Sequence, residues 1–260
     1  MDFLAPLAPF LALGGDAALA ALAVFARVAA AVALLPGFGE RSLPSRVKLG
    51  AAIAFTMVVF PMADAPGDLG RTGVAEYGLI VIAEAAAGVI LGLSVRLMIM
   101  ALQTAGSIAS QSVSVSQMFG AGMTAEPQPA YSNVLTVAGI AMAFALGLPE
   151  YAASAMIGSY DSIPFGALPV SAELADWGVS RVAGAFASAV GLAAPFIVAA
   201  FAYNLALGAI NRAMPQLMVA FVGAPAITAG AILLMALATP LMLQVWSSAF
   251  VAVISAPYAR

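Results

Sequence analysis

The chain of 260 residues contains no cysteine and no histidine. Without cysteine, disulfide bonds and thiol nucleophiles are excluded, and without either residue type the usual zinc ligand sets are excluded too. No imidazole is available to relay protons near neutral pH. The acidic residues are spread almost singly along the chain, so no carboxylate pair for acid–base catalysis stands out. These absences predict a protein that is not an enzyme and that holds neither a cofactor nor a metal ion.

Charged residues of either sign are also scarce. They make up 8% of the sequence, hydrophobic residues make up 63%, and the mean hydropathy is +1.06. A soluble domain carries about a quarter charged residues, which cover its water-exposed surface. The composition therefore predicts an integral membrane protein. The net charge of -3 is too small to indicate nucleic acid as a partner.

Long apolar runs predict an all-α fold, because an apolar helix of about 20 residues spans the hydrocarbon core of a bilayer. The run at 49–62 is short for a bilayer and fits a span that other protein surrounds. Pro195, Pro225 and Pro240 should kink the last two runs, since each proline removes a backbone donor. The predicted spans lie at 17–35, 49–62, 74–101, 134–148, 179–207 and 224–254.

Basic residues cluster between the first two runs, at Arg41, Arg46 and Lys48. By the positive-inside rule this loop lies in the cytoplasm. The last two runs form a hairpin whose tip, at 208–223, carries Arg212 as its single charge. This tip is expected on the same side of the membrane.

The connector at 158–177 contains acidic residues and no basic ones, so the same rule places it outside the cytoplasm. Its Tyr160 and Trp177 suit the aromatic belt at a membrane interface. The apolar span before it is expected to end at Gly147, Pro149 and Glu150.

Arg27 lies inside the first predicted span, and Glu84, of opposite sign, lies deep inside the third. A charge in a span is costly and normally faces a partner or a wet interior. We therefore expect Arg27 and Glu84 to form an intramembrane charge pair; the alternative is that Arg27 extends to the helix end. Gly88 and Gly92 form a small-residue pattern that favours close helix packing.

The segment at 103–129 is polar but carries no charge before Glu126. It is too polar to face lipid, and it lacks the charge of an ordinary solvated loop. One interpretation is that it lines or blocks a pore, where polar backbone at membrane depth is tolerated. The other is a helix–helix interface of small residues. The residues alone leave both open.

Three ordered motifs resemble the FliR family of flagellar biosynthetic proteins and their counterparts in virulence type III secretion systems. The first is ARVAAAVALLPGFGERSLPSRVKLGAAIAF at 26–55, and the second is VIAEAAAGVILGLSVRLMIMALQTAGSIASQ at 81–111. The third is INRAMPQLMVAFVGAPAITAGAILL at 210–234. The resemblance covers most of the chain, and the spacing between the motifs is similar to that of the family.

The resemblance implies a single-copy subunit of an export gate in the bacterial inner membrane, within a flagellar basal body or a secretion apparatus. Its partners would be FliP-like, FliQ-like and FlhB-like subunits, and its substrates unfolded secreted proteins. The chain would form one domain over 1–260, with a FliP-like front at 1–177 and a FliQ-like C-terminal hairpin at 178–260. Long kinked hairpins would build a helical assembly. A flagellar system is favoured over a virulence system.

The same resemblance implies that a loop at about 106–122 plugs the closed channel. The residues expected in the plug are Gly106, Ser107, Ser110, Gln111, Ser114, Gln117, Met118, Phe119, Gly120 and Gly122. Two cytoplasmic loops are expected to contact neighbouring subunits, through Arg41, Arg46, Lys48, Arg212, Pro215 and Gln216.

Two alternatives belong to other functional classes. A secondary transporter for a small solute would use broken helices and the charges of Arg27 and Glu84 around a midplane site. No repeated halves of the kind common in transporters are visible in the sequence. A purely structural scaffold would tolerate deletion of the polar segment without leakage.

Overall fold

The computed structural model describes residues 14–114, 130–168, 171–213 and 219–258, without the side chains at 113–114, 171–173, 211 and 219–228. Throughout these ranges the chain forms α-helices, two short 3-10 turns and no β-strand. The predicted all-α fold is confirmed. The helices are α1 (Gly15–Leu34), α2 (Ser45–Val59), α3 (Val74–Ser114), α4 (Ala130–Ala145), α5 (Leu148–Ser162), α6 (Ser171–Ala213) and α7 (Val219–Ser255).

Five helical segments within the described ranges are long and apolar enough to cross a membrane. Helices α4 and α5 are bent by 72° at the short break between them, and together they could supply a sixth span. The chain is therefore a membrane protein, as its composition predicted. The five segments are Gly15–Leu34, Ser45–Met62, Val74–Ser112, Leu174–Ile210 and Ala229–Ser255.

The second span is longer than its apolar run suggested. It covers Ser45–Met62, which is 18 residues, because α2 begins directly after Pro44 and a 3-10 turn extends it at Phe60–Met62. Its first turn carries Arg46, whose side chain is exposed. The span expected at 49–62 is longer in the structure, because Arg46 and Lys48 belong to the helix rather than to the loop before it.

Helix α5 was not expected from the sequence, and its last residues overlap the start of the connector at 158–177. Pro149 lies in its first turn, where a missing backbone N–H costs no hydrogen bond. Gly147 precedes the helix with φ 87°, a left-handed conformation that glycine adopts without strain. These two residues predict the end of an apolar span, and in the structure they mark a sharp bend between two helices.

The polar segment was expected to be a loop from Gly106, yet α3 continues through it to Ser114. Alanines at 105 and 109 supply a packing face, and the first proline after them is Pro127. The serines and glutamines therefore extend a long helix. The loop prediction was wrong for 106–114.

The chain divides into two compact units. The first contains 1–97, 144–181 and 250–260, and the second contains 98–143 and 182–249. Helices α3, α6 and α7 contribute residues to both units. Pro195, Pro225 and Pro240 lie inside α6 and α7. The predicted division into a FliP-like front and a FliQ-like hairpin stays a prediction.

Candidate functional site

A buried ion pair joins α1 to α3 in the first unit. Arg27 donates from Nε to Glu84 Oε2 and from Nη2 to Glu84 Oε1, each at 2.9 Å. The side chains are 1% and 0% exposed. This two-pronged geometry matches the guanidinium fork to the carboxylate and is the strongest form of such a pair.

The remaining hydrogen-bonding groups of the pair are satisfied by α5 and by the turn after it. Arg27 Nη1 donates to Ser159 Oγ at 2.9 Å, and Nη2 also donates to the carbonyl oxygen of Ile163 at 3.0 Å. A buried ion pair stabilises a fold only when such additional bonds offset the cost of removing both charges from water. The arrangement around Arg27 meets that condition.

Glu84 is satisfied in the same way. Its Oε2 accepts a hydrogen bond from the Tyr160 hydroxyl at 3.0 Å, and its Oε1 accepts one from the Gly166 backbone N–H at 2.9 Å. The guanidinium carbon of Arg27 lies 3.8 Å from the centre of the Tyr160 ring, which adds a cation–π contact. Tyr160, expected in an interfacial belt, contacts the ion pair through both its hydroxyl and its ring.

The turn after α5 lies at the level of the ion pair, well inside α1 and α3. At 1.5 Å per residue, Arg27 lies about 18 Å from the start of α1, and Glu84 lies about 15 Å from the start of α3. The carbonyl of Ile163 and the N–H of Gly166 belong to irregular backbone at this depth. Such backbone needs internal hydrogen-bond partners in an apolar environment. The two charged side chains provide them.

Two glycines of α3 bring its backbone against α1. A Cβ on Gly88 would overlap the carbonyl oxygen of Arg27, and a Cβ on Gly92 would lie 2.7 Å from that of Ala31. No side chain fits at either position. The small-residue pattern seen in the sequence is therefore used for close packing, directly beside the ion pair.

Sequence reasoning missed several partners of the ion pair, because Ser159, Tyr160 and Gly166 carry no charge and lie far along the chain. The φ of 72° at Gly166 is visible only in the structure. Tyr258, near the C-terminus, donates to the carbonyl oxygen of Ala87 at 3.2 Å. Burial raises the pKa of Tyr258 to about 12, although the positive charge of Arg27 opposes the rise.

The polar segment presents an uncharged stripe on the part of α3 that belongs to the second unit. Residues three, four and seven positions apart share one helix face, so the side chains of the stripe point in similar directions. Gln111 is exposed, and the other three are half-buried. The polar stripe consists of Gln103, Ser107, Ser110 and Gln111.

A packed face lies on another side of the same helix. Leu102, Ala105 and Ala109 have no exposed surface, and Gly106 is buried with them. A Cβ on Gly106 would lie 2.5 Å from Cα of Ser132 on α4. Gly106 therefore belongs to the helix interface, whereas Ser107, Ser110 and Gln111 do not.

The other residues expected in the plug are described in part or not at all. Ser114 is the last residue of α3, and its side chain is not described. The remaining five lie outside the described residues, as do Pro215 and Gln216 of the expected contact loop. These five are Gln117, Met118, Phe119, Gly120 and Gly122.

The basic residues expected in contact loops lie at the surface of the chain. Arg41 and Arg46 are exposed, and Arg212 is exposed in the last turn of α6. Lys48 is half-buried and donates to the carbonyl oxygen of Gly39 at 3.1 Å. Arg41 in the loop between α1 and α2 and Arg46 in the first turn of α2 are therefore more exposed than Lys48.

Glu40, the single acid beside these basic residues, forms an ion pair with Arg96 of α3. The distance between Arg96 Nη1 and Glu40 Oε1 is 2.5 Å, and both side chains are about a quarter exposed. This contact was not expected from the sequence. It compensates the only negative charge of the loop, so that its remaining charge is positive.

Comparison with known proteins gives a consistent family. A family model described as "Bacterial export proteins, family 1" matches residues 18–253. Flagellar biosynthetic protein FliR of Caulobacter vibrioides is 32% identical over 234 residues, which are 87% of this chain and 91% of that protein.

More distant relatives carry the same name. Flagellar biosynthetic protein FliR of Pectobacterium carotovorum is 28% identical, with 84% of this chain and 83% of that protein covered. The FliR protein of Escherichia coli is 27% identical, with 83% and 82% covered. The resemblance inferred from the three motifs is confirmed: the chain belongs to family 1 of the bacterial export proteins, the family of FliR.

Proposed function

We propose that this chain acts as a non-enzymatic subunit of a type III export gate, most closely the flagellar one, and that its polar stripe lines the path of unfolded substrates. Family membership supports the export role. The observation that carries the lining role is the stripe itself. Uncharged polar side chains occupy one face of a long membrane helix, while another face of the same turns is packed.

The chemistry of the stripe suits a path for many different substrates. Serine hydroxyls and glutamine amides are small or flexible, and they both donate and accept hydrogen bonds. They offer weak contacts to any passing backbone, whereas a charged lining would retain segments of opposite charge. Through the adjoining residues up to Gly122, the same segment would close the resting conduit.

The ion pair of Arg27 and Glu84 has a different role in this proposal. It holds the turn at Ile163–Gly166 in place by bonding the backbone polar groups of that turn. A solute transporter would need unoccupied hydrogen-bonding groups on these two charged side chains to bind its ligand. Their hydrogen bonds to Ser159, Tyr160 and the turn occupy most of this hydrogen-bonding capacity. Family membership also gives the transporter alternative no support.

The partners of this subunit would be FliP-like, FliQ-like and FlhB-like chains in the bacterial inner membrane. Exposed Arg41, Arg46 and Arg212 are candidates for cytoplasmic contacts, together with Lys48, Pro215 and Gln216. Large apolar side chains also cover α6, including Phe186 at 62% exposure and Phe201 at 70%. In an assembly this surface would meet neighbouring helices or lipid.

The lining role is tested by cross-linking to a stalled substrate. A photoreactive residue replaces Ser107 or Ser110, and the matched control replaces Val137, which is 67% exposed on α4 of the same unit. A substrate fused to a rapidly folding domain is stalled in the gate and irradiated. We expect cross-links from the two stripe positions and not from Val137. Cross-links from Val137 alone would overturn the proposal.

A further inference from the structure

The polar stripe can serve a conduit only if α3 is held at one rotation about its axis. A rotation of about 100°, which corresponds to one residue, would replace the stripe with another face of the helix. Nothing in the stripe itself fixes this rotation, since its side chains are at least partly exposed. The constraint must come from the packed side of α3.

Gly106 supplies a close contact on that side. Around the helix axis it lies about 60° from Gln103, at the edge of the stripe. Its backbone approaches Ser132 of α4 so closely that a Cβ would lie 2.5 Å from Cα and 3.0 Å from the backbone nitrogen of that residue. Because these are backbone atoms, they cannot move aside as a flexible side chain could.

Ser132 adds a directional bond to this contact. Its hydroxyl donates to the carbonyl oxygen of Gln103 at 2.8 Å, and the residue is 3% exposed. Gln103 is the first residue of the stripe, so α4 is bonded to the backbone of the turn on which the stripe begins. The close contact limits the distance between the helices, and the hydrogen bond sets their relative rotation.

Helix α4 is held in place through Tyr131, the residue that precedes Ser132. The Tyr131 hydroxyl is hydrogen-bonded to the Thr239 hydroxyl of α7 at 2.9 Å, and it also lies 3.6 Å from the sulfur of Met242 on the same helix. The Tyr131 ring packs on Phe196 of α6, with ring centres 5.6 Å apart. Within the second unit, Ser132 is therefore presented to α3 from a fixed position.

We propose that Gly106 and Ser132 are positioning residues that set the rotation of α3 and so direct the polar stripe into the conduit. This inference rests on the proposed lining role of the stripe. Gly106, expected from the sequence to belong to the plug, then acts from the packed side of the helix. It contributes no surface to the path of the substrate.

The test uses single cysteines, which are unambiguous because the chain has none of its own. Ser107→Cys, Ser110→Cys and Ala109→Cys are introduced separately, and their alkylation by a water-soluble maleimide is timed in gates that have been assembled in membranes. Each is combined with Gly106→Val, Gly106→Ala or Ser132→Ala. The matched controls in the same unit are Gly191→Ala, where an added Cβ meets no atom within 4 Å, and Ser248→Ala, whose hydroxyl bonds only within its own helix.

We expect the ratio of labelling at position 107 to labelling at position 109 to fall about tenfold with Gly106→Val. Gly106→Ala and Ser132→Ala should lower it about twofold to threefold, and the controls should leave it unchanged. If Gly106→Val does not assemble, the two milder variants decide. An unchanged ratio in assembled gates, or loss of assembly in all three variants with intact controls, would overturn the inference.

A stalled substrate separates this inference from the proposed function. If substrate shields Ser107→Cys but the positioning variants do not change the ratio, the inference fails and the lining role stands. If the ratio changes but substrate never shields the stripe, Gly106 and Ser132 do set the rotation of α3. The lining role then fails, and with it the claim that the stripe is directed into a conduit.

Discussion

Each of the two units is stabilised by contacts among its own helices, and the chemistry of these contacts differs between the units. The first contains a buried arginine and a buried glutamate whose bonds join α1, α3, α5 and the turn after α5. In the described part of the second unit, neutral groups make the contacts between helices. Examples are Ser132 with the Gln103 carbonyl, Tyr131 with Thr239, and the Trp246 indole with the Met98 carbonyl at 2.8 Å.

This difference indicates how each unit responds to change. A buried charge that loses its partner is strongly destabilising, so the first unit keeps its network complete or loses its structure. A neutral hydrogen bond contributes about 1 kcal/mol net, so the second unit can exchange single contacts at small cost. The polar stripe lies in the second unit, and this would suit the lining role proposed for it.

The largest effect is expected from Glu84→Ala in the first unit. Arg27 would remain buried without its counter-charge, and the fold should lose about 3–5 kcal/mol. The level of the protein in membranes and its recovery in assembled gates measure this loss. Asp64→Asn, at an exposed position, is the control.

The paired change Arg27→Met with Glu84→Met should recover part of that loss. Recovery stays incomplete because Ser159, Tyr160 and Gly166 lose partners as well. Equal damage from both single changes and the double change would contradict the role of the pair.

A smaller effect is expected from Gly88→Ala. The added methyl group would push the backbone of α1 away from α3 at Arg27, at a cost of about 1–3 kcal/mol. The control is Gly78→Ala on the same helix, where an added Cβ meets no atom within 4 Å. The control should be neutral or slightly stabilising, since alanine favours helix more than glycine does. Equal thermal stability of the two variants in detergent would exclude close packing at Gly88.

A modest effect is expected from Tyr131→Phe in the second unit. The variant loses the neutral hydrogen bond to Thr239, worth about 0.5–1.5 kcal/mol, and the longer contact with the sulfur of Met242, while Thr239 keeps its bond to Met235. Tyr203→Phe is the matched control, because the Tyr203 hydroxyl is buried and has no partner among the described residues. Thermal unfolding should separate the two variants. A loss as large as that of Glu84→Ala would remove the contrast between the units.

The smallest effect on stability is expected from Arg41→Ala, since this side chain is exposed in the loop between α1 and α2. The thermal midpoint of the isolated chain should not change. If the loop contacts other gate subunits, their recovery with the chain should fall. Unchanged recovery would remove Arg41 from the proposed contact surface.

The apolar runs and the three motifs were sufficient to predict the fold class, the membrane location and the family. They could not predict α5, because Gly147 and Pro149 are typical both of a helix end and of a bend into a new helix. The charges of Arg27 and Glu84 marked two positions that the structure brings together. Their neutral partners, Ser159, Tyr160 and Gly166, could not be found from the sequence. They lie far along the chain from both charges, and no sequence pattern links an uncharged residue to a distant ion pair.

The polar segment shows a second limit of the sequence. Its uncharged polar residues indicated that the segment does not face lipid, but they did not indicate its conformation, because serine and glutamine are compatible with both helix and loop. The packing contact between Gly106 and Ser132 decides that the first part is helical and has a fixed face. The interpretation of small-residue packing holds at Gly106. The pore-lining interpretation stays a prediction for Ser107 and Ser110, whose side chains are half-buried.

The most direct test of the lining claim compares cysteines on the two faces of α3 with and without a stalled substrate. Ser107→Cys and Ser110→Cys report on the polar stripe, and Ala105→Cys and Ala109→Cys report on the packed face. In assembled gates, we expect a water-soluble maleimide to label the stripe positions, a stalled substrate to block that labelling, and the packed positions to react far more slowly throughout. Stripe cysteines that react equally fast with and without substrate would contradict the claim that this face of α3 lines the export path.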